Sequence, residues 1–168
     1  EGVLHHTDDT GQAIKRLTRH LKSGGRFLFY VYGQKADIRE FVDDHVRDGI
    51  RGMSDEEAWE ALKPLTRLGQ ALGELDVELD VPEDIPLLGI KKGTRPLQRF
   101  FYWNIAKLFY RPELTFDEMH HINFDWYRPL NCHRHTPDEI RAYCEAAGLR
   151  IEHLGEEPAG ITVVAQRV

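Results

Sequence analysis

Leu21-Lys22-Ser23-Gly24-Gly25-Arg26-Phe27-Leu28-Phe29-Tyr30-Val31-Tyr32 is the stretch whose reading decides the fold. Its polar first half stops a helix, because glycine reaches the left-handed conformation that helix ends favour. Its second half, Arg26 to Tyr32, is almost continuously apolar and aromatic, which predicts a strand buried on both faces of a parallel sheet. Upstream, Asp8, Asp9 and Thr10 offer N-cap oxygens. Ala13, Ile14, Leu17 and Leu21 then recur at helical spacing, with Lys15, Arg16 and Arg19 on the outer face. Helix, glycine turn and buried strand make half of a βαβ unit, so another parallel strand is expected before Glu1. The chain opens without methionine, in mid-pattern at Glu1-Gly2-Val3-Leu4-His5-His6-Thr7, and reads as a piece of a longer protein.

Downstream, residues 34–121 contain no predicted strand. Ile38, Phe41, Val42 and Val46 mark one helix. Ser54 with Glu57 forms a capping box opening a second, which Pro64 is expected to kink or interrupt. Leu75 to Lys92, broken by Pro82, Pro86 and Gly89, reads as a loop. Leu97 to Tyr110 gives a third, strongly aromatic helix. Ile122 to His135 reads as a loop dense in polar and aromatic groups. Thr136-Pro137-Asp138-Glu139 then supplies an N-cap, a first-turn proline and a capping-box glutamate for a helix burying Ile140, Tyr143, Cys144 and Ala147. Leu149–Leu154 and Ile161–Ala165 follow as strands, joined closely enough for an antiparallel pair.

The 168 residues suit one modest core, and 41% hydrophobic with 30% charged residues is an ordinary globular composition. A formal charge of −6 speaks against a nucleic-acid or anionic-membrane surface. No run approaches the roughly 20 apolar residues of a membrane span. Two cysteines, Cys132 and Cys144, make a poor disulfide framework and suit a cytoplasmic setting.

The order of these elements resembles the back half of class I S-adenosylmethionine-dependent methyltransferases, whose last strand inserts antiparallel beside an otherwise parallel set. Three stretches carry the resemblance. Glu1 to Thr7 is similar to the segment after that family's fourth strand, where an apolar pair is followed by His-His. Leu21 to Leu28 resembles its "LKPGGRF" turn, with Ser23 in place of proline. His135-Thr136-Pro137-Asp138-Glu139-Ile140, running on to Ala146-Ala147-Gly148-Leu149, resembles the helix before its sixth strand. The Phe124-Asp125-Trp126-Tyr127 segment is similar to one branch of the family.

The resemblance implies an α/β fold, the C-terminal half of a Rossmann-like methyltransferase sheet. Residues 1–33 and 122–168 would form it, and 34–121 would be a helical insertion or lid. It implies S-adenosylmethionine as cofactor, yet the family's glycine-rich loop and acidic ribose ligand have no counterpart in the chain. The bulk of the cofactor site is therefore expected upstream of Glu1, with this chain inactive alone.

In open α/β sheets ligands sit at the carboxyl ends of the strands. Glu1 to His6 and Tyr30 to Gly33 occupy that edge, so Glu1, Gly2, His5 and His6 are expected cofactor-side residues, and Tyr32 a rim contact for the acceptor. Methyl transfer is an in-line displacement in which the protein aligns partners and excludes water, and a base helps where the acceptor carries a proton. His6, His133 and His135 are the candidate bases, and Trp126, Tyr127 and Arg128 candidate acceptor-pocket residues. Packing and capping roles remain open for all of these. Cys132, His133 and His135, with His120-His121, match no recognised zinc spacing, so no metal is expected.

The expected partner is a small-molecule methyl acceptor, with no nucleic acid and no membrane span. The aromatic residues Phe100 to Trp103, Phe109 and Tyr110 would serve as core, lid, greasy-substrate surface or homodimer contact. Two alternatives remain: a non-catalytic partner-binding module that keeps the fold, and another doubly wound enzyme such as a dehydrogenase.

Overall fold

A computed structural model describes residues 2–168, so Glu1 lies outside the described residues. The protein is mixed α/β and divides into two compact units. One comprises residues 1–34 with 131–168, the other residues 35–130. Residues 122–130 thus belong to the helical unit.

The first unit is a three-stranded sheet covered on one face by two helices. Asp9 caps α1 (Thr10–Thr18), its carboxylate accepting from the Gln12 amide at 2.9 Å. After a turn through Gly24 at φ +75°, β1 (Arg26–Tyr32) begins. The last elements are α6 (Pro137–Ala146), β4 (Leu149–Glu156) and β5 (Gly160–Arg167). Helix α6 carries the full capping box expected of Thr136 and Glu139. The sheet order is β1-β5-β4, with β5 antiparallel to both neighbours. It follows that β1 and β4 run parallel to each other. Phe29, Val31, Ile161, Val163 and Ala165 turn one face towards Ile14 of α1 and Ile140 and Cys144 of α6, forming the core.

Strand alternation places Leu28, Tyr30 and Tyr32 on the opposite face. Leu28 is 53% exposed. The expectation of a strand buried on both faces of a parallel sheet is therefore corrected: among the described residues β1 has one strand partner, antiparallel β5, and its second face is exposed at Leu28 and partly covered towards Tyr32.

The second unit holds α2 (Asp37–Ile50), α3 (Asp55–Glu74), β2 (Glu78–Val81), β3 (Gly93–Pro96), α4 (Leu97–Asn104) and α5 (Phe116–Tyr127). Helix α3 opens on the Ser54–Glu57 capping box and runs without a break through Pro64. Proline removes one amide donor. Here its residue is exposed, so water can serve the carbonyl left unpaired.

Three further expectations are corrected. The loop expected at Leu75–Lys92 contains β2, which pairs antiparallel with β3. Its Glu-Leu-Asp-Val alternation is only two repeats long and is masked by the nearby prolines. Asp84 shapes the connection by accepting from the Lys92 amide at 2.8 Å. The aromatic helix ends at Asn104, whose side chain donates to the Phe100 carbonyl, rather than continuing to Tyr110. The loop expected from Ile122 is, through Tyr127, the second half of α5. A Thr115–Glu118 capping box opens that helix, and its buried face is Met119, His120, Asn123, Trp126 and Tyr127.

Two buried polar knots fix the helical unit. Asp43 accepts from Arg39 Nε at 2.8 Å, Trp126 Nε1 at 2.9 Å and Tyr127 OH at 3.0 Å. Arg39, only 1% exposed, also donates to the Tyr102 carbonyl. In the second knot, Asn123 Nδ2 donates to Thr66 Oγ1, which bonds His120 Nδ1 at 2.8 Å, while His120 Nε2 donates to the Trp59 carbonyl. Among the described residues no helix is long and apolar enough to cross a membrane.

Candidate active site

At the carboxyl end of β1 the chain gathers four histidines and two tyrosines. Val3 leads into a 3-10 turn, Leu4–His6, that packs beside the strand and is closed by Thr7 Oγ1 donating to the Leu4 carbonyl at 2.7 Å. From the other side, the segment before α6 is stitched to the strand end. The His135 amide donates to the Tyr32 carbonyl at 2.9 Å, and the Gln34 amide to the His135 carbonyl at 3.0 Å. The His133 amide donates to the His5 carbonyl at 2.9 Å. His5, His6, Tyr32, His133 and His135, far apart in sequence, are thus brought together.

His5 lies at the centre and is fully buried. Its ring sits 3.8 Å from that of Tyr32, 4.3 Å from His6 and 6.3 Å from Tyr30, centroid to centroid. Neither of its ring nitrogens makes a well-directed hydrogen bond among the described residues. Burial, then the neighbouring His6, His135 and His133, push its pKa down to about 3, and the nearby Tyr30 carbonyl only partly opposes them. His5 is therefore a neutral aromatic ring at neutral pH.

The other three imidazoles are oriented by single bonds. Carbonyl oxygens only accept, so the ring atoms facing them carry the proton. His6 donates from Nδ1 to the Asn131 carbonyl at 2.7 Å, which leaves Nε2 with the lone pair. Asn131 is itself held by Asp8, through Nδ2 at 2.8 Å. His133 donates from Nε2 to the Thr7 carbonyl at 3.0 Å. His135 Nε2 lies 3.0 Å from Thr10 Oγ1, whose proton goes to the Leu4 carbonyl, so Nε2 is the donor there too. Burial lowers the His135 pKa as well.

Gly160 makes room for this cluster. A Cβ on it would stand 2.3 Å from the Val31 carbonyl oxygen and 2.5 Å from the tip of the Tyr30 ring. The tip of the Tyr30 phenol therefore comes close over position 160, and no signal in the sequence marked that contact.

The remaining site expectations fall elsewhere. Glu1 lies outside the described residues. Gly2 is exposed at φ +72°, and a Cβ there would touch nothing within 4 Å. Trp126 and Tyr127 are buried in the helical unit with their polar atoms on Asp43. Arg128 Nε pairs with Asp55 at 2.7 Å. Cys132 and Cys144 are free and buried. Among the described residues, no group of three or more His, Cys, Asp or Glu side chains is arranged to hold a metal ion. The sequence marked Asp8 and Thr10 only as N-cap oxygens and did not single out Asn131; Thr10 and Asn131 each bond a distant histidine, and Asp8 holds Asn131.

No protein-family model matches the chain, and neither a curated protein nor a solved structure gives a significant match.

Proposed function

We propose that the sheet unit is the carboxyl-terminal part of an S-adenosylmethionine-dependent methyltransferase acting on a small-molecule acceptor, with the helical unit as its insertion. The observation that carries this reading is the strand order: β5 lies antiparallel between β1 and β4, and the histidine cluster sits at the carboxyl end of β1. Ligands of open α/β sheets occupy that end.

The cluster fits the chemistry of such a cofactor. A sulfonium is a cation, and faces of neutral aromatic rings attract cations. Tyr32, half-buried at the strand end, offers such a face, and His5, buried and held neutral beside it, adds no positive charge. When bound, the cofactor supplies an electrophilic methyl group. His6 and Tyr32 would hold its methyl-bearing end, with the buried His5 supporting both rings. His6 Nε2, its lone pair directed by the bond from Nδ1 to Asn131, would accept the acceptor's proton. His133 and His135 would position the strand end and the turn rather than transfer protons, since each ring is tied to a residue in Thr7–Thr10.

This reading needs a glycine-rich loop and an acidic ribose ligand, which the 168 residues do not contain. Methyl transfer is accordingly proposed for the chain joined to such a segment. Calorimetry with S-adenosylmethionine tests it, on this chain and on the longest natural form of the protein side by side. Binding by the longer form alone supports the reading. Binding by neither favours a partner-binding module, and tight binding by the 168 residues alone would move the cofactor site.

A further inference from the structure

Where α3 ends and α4 begins, the surface of the helical unit holds a half-open hollow of about 240 Å³. Leu72, Gly73 and Asp76 line it from the α3 side, Pro96 and Arg99 from the α4 side, and Tyr110 forms a wall. That wall depends on Gly73, because a Cβ there would stand 2.2 Å from the Tyr110 ring. The volume is below the roughly 300–1,000 Å³ of drug-sized sites, so the hollow suits a smaller guest.

Two opposite charges line it, the exposed Asp76 and the half-buried Arg99, and neither makes an ion pair among the described residues. They are also not within ion-pair distance of each other. The Arg99 guanidinium lies over the rings of Tyr102 at 4.6 Å and Trp103 at 5.6 Å. Such contacts use the face of the guanidinium and leave its N–H donors unused. Asp76 sits just past the end of α3 at φ +49°, its amide donating to the Gly73 carbonyl at 3.2 Å. Glycine is the usual residue at that position and adopts it at less cost.

The helix ends sharpen the polarity. The carbonyl end of α3 carries partial negative charge, and no basic residue occupies its last turn. The exposed carboxylate of Asp76 adds to that potential and favours a cation beside it. The first turn of α4, on the Arg99 side, has partial positive charge and no side-chain cap.

We infer that this hollow binds a small zwitterion of the α-amino acid class, its ammonium at Asp76, its carboxylate at Arg99 and its side chain against Leu72 and Tyr110. The site lies wholly within the helical unit and does not depend on the methyl-transfer reading.

The test is an amide-resolved NMR titration of the full chain with L-phenylalanine, and with its two half-ligands, phenethylamine and 3-phenylpropanoate. L-phenylalanine, taken to about ten times a millimolar dissociation constant, should give saturable shifts at Gly73, Asp76, Arg99 and Tyr110. Each half-ligand should bind at least about tenfold more weakly, having lost one charge-assisted contact. Asp76→Gly keeps the left-handed turn and should melt no lower than the parent chain. It should nevertheless weaken L-phenylalanine about tenfold and leave 3-phenylpropanoate unchanged. Arg99→Gln should do the converse, leaving phenethylamine unchanged. The inference is overturned if L-phenylalanine gives no saturable shift, if a half-ligand binds as tightly as the zwitterion, or if Asp76→Gly binds L-phenylalanine like the parent.

Discussion

The ring of Tyr32 lies 3.8 Å from that of His5, tilted by 30°, so that the end of β1 and the turn after Val3 share one aromatic stack. A protonated His5 would put a desolvated charge inside that stack, next to three more imidazoles. Between the folded-state value of about 3 and the ordinary ~6.5, the unfolded chain binds more protons than the folded one. Stability from this group is thus complete above about pH 6.5 and falls on acidification, by up to ~1.4 kcal/mol per pH unit. His135 shifts the same way in the sheet unit, and His120 does so in the helical unit. Urea midpoints measured from about pH 7 down to about pH 4 should decline, with a shallower decline in His5→Phe. An unchanged slope in that variant would remove His5 as a source.

Gly160→Ala should cost about 1–3 kcal/mol through overpacking, because the new methyl meets both the Val31 carbonyl and the Tyr30 ring. Thermal melts would read the loss. Pairing the substitution with Tyr30→Ala relieves only the ring contact, so recovery should be partial.

Removing Asp43 should be the harshest single change in the helical unit. Asp43→Ala strands the buried Arg39 guanidinium, takes the acceptor from Trp126 Nε1 and leaves Tyr127 OH with only its Lys107 backbone contacts. The expected destabilisation is about 3–5 kcal/mol, read by denaturant unfolding. Replacing both members of the pair, Arg39→Met with Asp43→Leu, should restore much of it, since the uncompensated charge is then gone.

In a form of the protein that binds S-adenosylmethionine, His6→Ala should lower the turnover of an acceptor that must lose a proton by about 10²–10⁴. Cofactor affinity should change far less. Asn131→Ala leaves its backbone carbonyl but frees it from Asp8, so a smaller loss is expected there. Equal losses in cofactor binding and turnover for His6→Ala would make that residue a cofactor contact instead of a base.

The sheet unit was largely legible because its signals are local. The Gly24-Gly25 turn, the Thr136–Glu139 box and the apolar runs of the last two strands are each complete within a few residues. The helical unit was less legible, for two physical reasons. Its α5 buries His120 and Asn123 as well as apolar side chains, which blurs the 3.6-residue period. Its hairpin is four residues a side, too short for alternation to stand out from the surrounding prolines. At the candidate site, His5, His6, His133 and His135 were visible as residue types. The Asp8, Thr10 and Asn131 contacts that orient them depend on chain segments far apart in sequence, which no local spacing announces.

The parallel bridge between Gly33 and His135 closes the chain on itself where the helical unit departs and returns. The two backbones stand about 4.8 Å apart there, the ordinary spacing of paired strands. A tether of a few residues could therefore replace the whole of residues 35–130 without changing the register of β1, β5 or α6. Evolution could exchange such a cassette for another of different length while leaving the strand order of the sheet untouched.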